Sequence, residues 1–327
     1  MISVLIPCHR EGALLNRALD SVAHQTHPDW QLVLVCNNCD SETTAVAEAA
    51  AKADRRISLV TEPGPGIAYA LNRGLSFCRG DYVARLDADD TMPADRLALQ
   101  SAFLDQNRDV GLVSGQVRFV TDMGIGYDQY VQHINGWRDH ETIYRYRFVE
   151  SPVAHPSVMF RRELVDRLGA YSTENVPEDY ELWLRWLAAG VKFAKIPEVV
   201  LDWFDSTGRL SRTHDNYARA AFDSVRLRYL VQVLPQLSAG RPLWVCGGRY
   251  ARRKAARLQQ MGIEVTGVVD VIPRRLEKLQ AMTYDQLPAP GQLFLLSLVS
   301  NRAGYQVVED VLTSKGYIPD RDFLLAA

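Results

Sequence analysis

Short apolar runs alternate with helical segments over the first ninety residues, and this alternation restricts the chain to a few folds. The apolar runs cover residues 2–6, 31–35, 57–60 and 82–86, and helical spacing covers residues 11–24, 43–53 and 67–78. Continuous apolar runs of this length are typical of strands buried on both faces. Strands separated by helices usually pair in parallel, because each helix carries the chain back across the sheet. We therefore predict an α/β fold with a mostly parallel sheet flanked by helices.

Three carboxylates follow the fourth strand, in the sequence Asp87-Ala88-Asp89-Asp90. Like charges this close repel one another unless water or a cation neutralises them. Hard cations such as Mg²⁺ and Mn²⁺ prefer oxygen ligands and commonly bridge carboxylates to a diphosphate. The alternative is a solvated turn in which Asp90 or Thr91 caps the next helix. Taken alone, these residues leave both interpretations open.

Other polar segments also follow strand ends. Pro7 ends the first apolar run, and Asn37 follows the second. Ligands of parallel α/β sheets bind at the carboxyl ends of the strands. We therefore expect Pro7, Asn37 and the acidic segment to converge on one crevice.

Bulk composition narrows the class of protein. The 37 basic and 39 acidic side chains give a formal net charge of -2, which argues against nucleic acid as a partner. No stretch reaches the roughly 18 apolar residues of a membrane span. Five scattered cysteines fit a reduced compartment, so a cytoplasmic protein is predicted. Cys36 and Cys39 form a C-x-x-C pair, but a structural zinc site would need a second pair, and an incidental pattern is the favoured interpretation.

Motifs in a fixed order resemble the family-two inverting glycosyltransferases, which have the GT-A fold. They are Ser3–Pro7, the turn after the second strand, Gly66–Gly74, Leu86–Asp90, Ala154–Arg162 and Pro177–Arg185. The similarity covers roughly the first 215 residues, and an ordered set of motifs is more specific than any one motif. The resemblance implies a nucleotide-sugar donor, a divalent metal (Mn²⁺ or Mg²⁺), and inversion at the anomeric carbon during transfer to a hydroxyl acceptor. That acceptor is expected on a glycan or a lipid-linked glycan.

The same resemblance implies roles for individual residues. Asp179 corresponds to the base that takes the proton of the acceptor hydroxyl, with Glu178 beside it. An alternative that is compatible with this role is that both acids simply begin a helix. The metal ligands carried over are Asp87, Asp89 and His214. The donor-binding positions carried over are Pro7, His9, Glu11, Asn37, Asn72, Arg73, Asp87, Ala88, Asp89 and Arg209.

One motif departs from the family pattern. The family usually has Asp-Asp-Gly-Ser after the second strand, where this chain has Asn37-Asn38-Cys39-Asp40. An asparagine amide both donates and accepts hydrogen bonds, so it tolerates more than one base. A uridine donor is the default expectation, and guanosine and thymidine stay open.

The segment Thr121–Val149 is rich in Tyr, Arg, His and Trp. Two interpretations are open: a loop that faces the acceptor, or an ordinary amphipathic connection. His155, which precedes a proline, is interpreted as a structural histidine.

A second, smaller domain is predicted over residues 239–327, after a glycosyltransferase domain over residues 1–238. Cys246-Gly247-Gly248 follows a strand in the outline of a dinucleotide-binding turn, and Asp270 ends the next strand. The pattern is damaged, because Cys246 and Ala251 replace its first and third glycines. We interpret a Rossmann-like domain without a bound dinucleotide, serving assembly or acceptor docking. The basic run of residues 249–257 is interpreted as a solvated helix face.

The sequence thus predicts a metal-dependent inverting glycosyltransferase of surface-glycan or polysaccharide synthesis, with peripheral membrane contact and a homo-oligomer as open possibilities. Two other classes of protein share some of these features. A nucleotidyltransferase would need a Gly-rich basic phosphate loop, and Cys8–Gly12 is a poor version of one. A nucleotide-sugar-binding module without catalysis would not need the pair Glu178-Asp179.

Overall fold

The computed structural model describes residues 1–121, 128–205, 214–272, 279–299 and 302–326. The chain divides into two compact units. The first contains Met1–Ile143 and Pro152–Ala221, and the second contains Tyr144–Ser151 and Phe222–Ala327. The domain boundary between residues 238 and 239 stays a prediction from the sequence.

The first unit is built on a seven-stranded sheet. Its strands are β1 (Ile2–Cys8), β2 (Trp30–Asn37), β3 (Ile57–Glu62), β4 (Tyr82–Arg85), β5 (Val110–Val120), β6 (Met159–Arg161) and β7 (Lys192–Phe204). Their spatial order is β3-β2-β1-β4-β6-β5-β7. Strand β6 runs antiparallel to β4 and β5, and the other pairs are parallel. The predicted mostly parallel sheet is therefore confirmed.

Eight α-helices accompany this sheet, and the first three lie where helical spacing over residues 11–24, 43–53 and 67–78 predicted them. They are α1 (Leu14–Ala23), α2 (Ser41–Ala53), α3 (Ile67–Leu75), α4 (Arg96–Gln106), α5 (Asp128–Gly136), α6 (His140–Tyr146), α7 (Glu163–Leu168) and α8 (Glu178–Ala188). Helix α1 begins later than the predicted residue 11. Gly12 has a φ of +52°, in the left-handed region, so a right-handed helix cannot run through it.

The capping role predicted for Asp90 or Thr91 is wrong. Helix α4 begins only at Arg96. Asp90 is buried, and its Oδ1 accepts a hydrogen bond of 2.9 Å from the backbone N–H of Phe204. The backbone of Thr91 exchanges hydrogen bonds with that of Asp202. Both residues thus join the acidic segment to the end of β7.

The segment Thr121–Val149 contains helices α5 and α6, and its residues 122–127 lie outside the described part of the chain. Val131, Ile134 and Ile143 are buried. This burial is typical of an amphipathic connection. Contact of the segment with an acceptor stays a prediction.

The second unit contains a five-stranded sheet in which every pair is parallel. Its strands are β8 (Leu243–Cys246), β9 (Gly267–Val269), β10 (Gln280–Met282), β11 (Phe294–Ser297) and β12 (Phe323–Leu325), in the order β10-β9-β8-β11-β12. The helices α9 (Arg219–Ser238), α10 (Arg249–Gln260) and α11 (Arg302–Ser314) complete the described α-helices. The role of this unit stays a prediction. None of the described helices has the length and hydropathy needed to cross a membrane.

The turn after β8 requires a glycine at position 247. Gly247 has a φ of +128°, and a Cβ on it would lie 2.9 Å from the Cβ of Ala251. The glycine therefore permits both the turn and the close approach of α10.

The solvated face predicted for residues 249–257 is wrong at Lys254. Arg253 and Arg257 are exposed, but the Lys254 side chain is buried, and its Nζ lies 3.0 Å from Oδ1 of Asp223.

Gly74 allows α3 to pack closely on the sheet. A Cβ on this residue would collide with Leu5 Cδ1 of β1 and lie 2.8 Å from Val35 Cγ2 of β2. We predict that Gly74→Ala lowers the free energy of unfolding by about 1–3 kcal/mol, the usual cost of overpacking a core. Thermal unfolding followed by circular dichroism measures this loss. Gly136→Ala is the matched control, because a Cβ there meets nothing within 4 Å. Equal unfolding midpoints for the two variants would contradict the packing role of Gly74.

Candidate active site

The acidic segment lies just beyond the carboxyl end of β4, where chains of this fold class bind ligands. One oxygen each of Asp87, Asp89 and Asp90 lies within 4.8 Å of the others. Asp87 and Asp89 are partly exposed and Asp90 is buried. Clustered carboxylate oxygens are suitable ligands for a hard divalent cation. The donor set therefore fits Mg²⁺ or Mn²⁺.

A buried arginine, Arg85, lies next to this cluster. Its side chain is 1% exposed, and its Nη2 donates a hydrogen bond of 2.5 Å to Oδ1 of Asp87. Its Nη1 donates to the carbonyl oxygen of Leu86. Burial alone lowers the pKa of Arg85, but the negative charge of Asp87 and its hydrogen bond to the guanidinium outweigh burial and leave the pKa raised. Arg85 therefore stays charged and fixes the position of Asp87.

The second pair of acids begins helix α8. Glu178 is buried, whereas Asp179 is partly exposed and its Oδ1 accepts a hydrogen bond of 2.7 Å from the backbone N–H of Tyr180. Burial raises the pKa of Asp179, repulsion by Asp87 adds to the rise, and attraction to Arg85 reduces it. The two groups of acids are thus close enough to share one electrostatic environment.

Glu178 is surrounded by side chains that keep it buried. The Tyr217 hydroxyl donates a hydrogen bond of 2.7 Å to its Oε2, and Nδ1 of His155 lies 3.9 Å from its Oε1. Nε2 of His155 forms a hydrogen bond of 2.9 Å with the Tyr171 hydroxyl. Burial lowers the pKa of His155, so the ring is neutral. Burial first, and repulsion by Asp179 second, raise the pKa of Glu178.

The residues at the ends of β1 and β2 also lie together. The backbone N–H of His9 donates a hydrogen bond of 2.6 Å to Oε2 of Glu11, and Nδ1 of His9 lies 2.6 Å from the carbonyl oxygen of Asn37. Nδ2 of Asn37 donates to the carbonyl oxygens of Glu62 and Gly64. Pro7 and Cys8, the last residues of β1, are buried. The predicted convergence of Pro7 and Asn37 is therefore found at adjacent strand ends.

The remaining predicted donor-binding residues are distributed differently. Ala88 is buried beside the acids. The side-chain amide of Asn72 exchanges two hydrogen bonds of 2.9 Å with the backbone of Tyr171, so it positions that segment. Arg73 is exposed near the end of α3 and stacks on Phe77, at 5.0 Å from the ring centroid.

The carbonyl oxygen of Phe77, on whose ring Arg73 stacks, accepts a hydrogen bond from Gln31 at the start of β2. Phe77 therefore lies at the edge of the sheet opposite the carboxyl ends. Donor binding by Arg73 stays a prediction.

Of the two predicted residues in the segment after β7, the structure describes only His214, and it does not join the cluster. His214 is exposed, its Nδ1 accepts a hydrogen bond of 3.2 Å from Asn216, and it is absent from the carboxylate group found among the described residues. The predicted metal ligation by His214 therefore has no support. Arg209 lies outside the described residues.

Sequence reasoning missed Arg85 and Tyr217. A signal for Arg85 existed, because alternating side chains of a strand put Arg85 and Asp87 on the same face. The sequence offered no comparable signal for Tyr217.

Known proteins share this architecture. The S. aureus protein TarS (residues 1–349, in complex with UDP-GlcNAc) superposes with a TM-score of 0.57 at 16% identity, over 71% of this chain and 66% of that chain. The mannosyltransferase PcManGT from Pyrobaculum calidifontis, in complex with GDP-Man and Mn²⁺, gives a TM-score of 0.50 at 23% identity, over 72% and 63%. This chain thus spans just under two thirds of each. These likenesses establish the GT-A fold.

Sequence comparison gives the family. The profile described as "Glycosyl transferase family 2" matches residues 3–169. The O-antigen biosynthesis glycosyltransferase WbnJ of Escherichia coli is 26% identical over 206 residues, 62% of this chain and 79% of that protein. The Escherichia coli UDP-Gal:alpha-D-GlcNAc-diphosphoundecaprenol beta-1,3-galactosyltransferase is 31% identical over 193 residues, 58% of this chain and 67% of that protein. The chain belongs to glycosyl transferase family 2 and is a glycosyltransferase.

The raised pKa of Glu178 predicts how stability varies with pH. An acid whose pKa is higher in the folded than in the unfolded state favours folding while protonated, and this contribution is lost as pH rises above the ordinary glutamate range. We predict that Glu178→Gln raises the free energy of unfolding at pH 8 by about 1–3 kcal/mol, because each unit of pKa shift corresponds to about 1.4 kcal/mol. At pH 4 the two proteins should be nearly equal. Urea unfolding at both pH values measures the difference.

Glu163→Gln is the control for this comparison, since Glu163 is exposed at the start of α7. If the free energy of unfolding changed equally with pH in wild type and in Glu178→Gln, Glu178 would ionise like an exposed carboxyl group, which would contradict the prediction.

Proposed function

We propose that the chain transfers a sugar from a nucleotide-diphosphate donor to a hydroxyl acceptor with inversion, and that transfer depends on a divalent metal. The observation that carries the proposal is the electrostatic proximity of two groups of acids, Asp87 with its neighbours and Glu178-Asp179. Inverting transfer requires both groups: one where the leaving diphosphate develops charge, and one where the acceptor loses its proton.

Asp179 is the proposed base. It is partly exposed, at the first turn of α8, so an acceptor hydroxyl can approach it. Its raised pKa makes the carboxylate a better proton acceptor than an ordinary aspartate, while it stays ionised near neutral pH. Activity should therefore fall as pH decreases and Asp179 gains a proton. Glu178, more deeply buried, is proposed to shape the pocket and to keep Asp179 in place.

Asp87 and Asp89 are the proposed ligands of Mn²⁺ or Mg²⁺. When bound, such an ion neutralises negative charge that grows on the departing diphosphate. Arg85 keeps Asp87 oriented toward the cluster through the hydrogen bond of 2.5 Å. Nη2 of Arg17 donates to the carbonyl oxygen of Asp89 at 3.0 Å and supports the second ligand in the same way.

The nucleoside is proposed to lie against Pro7, His9, Glu11 and Asn37, at the ends of β1 and β2. A UDP-sugar is the first candidate. The relatives and neighbours named above include UDP and GDP donors, and Asn37 in place of the family's aspartate is compatible with either base.

The acceptor is proposed to be a hydroxyl of a glycan or lipid-linked glycan in surface-glycan or polysaccharide synthesis. The two Escherichia coli relatives are named for O-antigen synthesis and for transfer to a diphosphoundecaprenol-linked sugar. Peripheral membrane contact, cytoplasmic location and a homo-oligomer stay predictions. No specific observation favours a nucleotidyltransferase or a binding module.

Asp179→Asn should abolish transfer while donor binding survives, because the amide keeps the shape of the side chain but cannot accept a proton. A loss of roughly 10²–10⁴-fold in turnover is expected for a missing general base. Release of nucleoside diphosphate measures turnover, and calorimetry measures donor affinity, with donors first chosen by a thermal-shift screen of nucleotide sugars. Asp166→Asn is the control, since its side chain is 66% exposed. Equal losses of turnover and donor affinity would refute the role of Asp179 as base.

Asp89→Ala should instead weaken the metal-dependent part of donor binding. The expected result is a donor affinity that no longer increases when Mn²⁺ is added, because one carboxylate ligand is missing. Calorimetric titration of the donor with and without Mn²⁺ checks this. Asp105→Ala, on a residue of α4 beside Tyr82, is a suitable control. If Mn²⁺ strengthened donor binding equally in wild type and Asp89→Ala, Asp89 would not be a metal ligand.

A further inference from the structure

Three cysteines gather at the carboxyl ends of β1 and β2. The parallel register places Cys8 directly opposite Cys36, at adjacent strand ends. Asn38, with a φ of +52°, then reverses the chain and returns Cys39 toward β1. The Sγ of Cys39 lies 3.5 Å from the carbonyl oxygen of Cys8 and 3.7 Å from its Sγ. All three sulfur atoms lie within 4.8 Å of one another.

This grouping could not be read from the C-x-x-C pattern alone. The sequence argues against a zinc site because it has no second cysteine pair. The fold supplies the missing ligand from a distant position, since Cys8 is 31 residues from Cys39. Cys36 and Cys39 form a disulfide in this structure, and the interpretation of five reduced cysteines did not include that bond.

The spacing of the sulfur atoms suits a thiophilic cation. Zinc–thiolate bonds of about 2.3 Å in a tetrahedral site separate the sulfur atoms by about 3.8 Å. The distance of 3.7 Å between Cys8 and Cys39 already matches this value. Two cysteines separated by two residues are the commonest chelating pair of structural zinc sites, and opening the disulfide would free that pair.

The surroundings of the cluster permit metal entry. Cys8 and Cys36 are buried, and Cys39 is partly exposed, so an ion can reach the sulfur atoms from the Cys39 side. Soft thiolates select zinc-like ions, whereas the carboxylates of Asp87 and Asp89 select hard ions. The two clusters would therefore discriminate between metals.

We propose that Cys8, Cys36 and Cys39, with the Cys36–Cys39 disulfide reduced, form a three-thiolate binding site for a thiophilic divalent cation such as Zn²⁺. A dithiol reductant supplies two electrons and two protons to the Cys36–Cys39 bond and becomes a disulfide itself. The cation then displaces the three thiol protons to solvent and leaves one coordination position for water. Disulfide and metal are thus alternative states of the same sulfur atoms.

Metal occupation would clamp the turn that contains Asn37 and Asn38. Asn37 and Asn38 also donate hydrogen bonds to the backbone of residues 62–64. The three strand ends β1, β2 and β3 would then be tied together at one point. This consequence concerns the local fold, and binding of the cation does not depend on the proposed transfer reaction.

The test is a titration of the full chain with Co²⁺, after reduction with a phosphine under anaerobic conditions. Thiolate ligation gives an intense charge-transfer absorption in the near ultraviolet, which carboxylate ligation lacks. One equivalent per chain should saturate the band, and Zn²⁺ should remove it by competition. Chain oxidised with diamide should give no band. No band in the reduced chain, or an equal band in the oxidised chain, would overturn the proposal.

Variants test whether Co²⁺ binds to the three sulfur atoms or to other ligands. Cys39→Ser and Cys8→Ser should weaken Co²⁺ binding by roughly tenfold or more, because losing even an outer-shell partner of a metal site costs about 10–100-fold. Cys78→Ser is the matched control, since Cys78 is also buried but lies outside the cluster. Asp89→Ala should leave the band unchanged. Unfolding midpoints show which variants fold. If Cys8→Ser does not fold, Cys39→Ser is the decisive variant, because Cys39 is partly exposed. Unweakened binding by folded Cys39→Ser would refute the site.

Discussion

The buried charge of Arg85 is the constraint on which the candidate site depends. A guanidinium removed from water is strongly unfavourable unless acids and hydrogen-bond acceptors surround it. Asp87 and the carbonyl oxygen of Leu86 provide the direct contacts, and Glu178 and Asp179 interact with it at longer range. The acids need the arginine equally, because without it they would repel one another in a partly buried space. The end of β4 and the start of α8 are therefore mutually dependent.

A second buried arginine, Arg96 of α4, holds the backbone around Arg85. Its Nη2 donates to the carbonyl oxygens of Arg85 and Val158, at 2.8 and 3.2 Å, and its Nη1 donates to that of Pro156 at 2.9 Å. Burial lowers the pKa of Arg96 to about 9. These bonds satisfy carbonyl groups that irregular backbone would otherwise leave unpaired in the interior. They also join β4 to the segment before β6, which helps explain how a three-residue antiparallel strand fits into an otherwise parallel sheet.

The sequence was informative where physical patterns are local. Continuous apolar runs were sufficient for β1, β2 and β4, because strands buried on both faces have no polar alternation to confuse them. The edge strand β3 was also predicted from its apolar run, although Val60 is its one buried residue. Strand β6 could not be predicted from periodicity, since three residues carry no period. The pairing of Glu178 with Tyr217 depends on tertiary structure alone. The sequence does not separate the two roles open to Asp90, because a capping acid and an acid that binds a distant backbone N–H have the same sequence context.

The position of Glu178 and Asp179 at a helix start explains how adjacent acids acquire different roles. The amide groups at the start of α8 favour a negative charge nearby, whereas burial opposes it. Burial raises the pKa of both residues, but Glu178 is the more deeply buried, and repulsion by ionised Asp179 raises its pKa further. When the pair loses one proton, the negative charge therefore settles on Asp179. That is the member of the pair with an exposed surface, so the basic group is directed to the side from which an acceptor can approach.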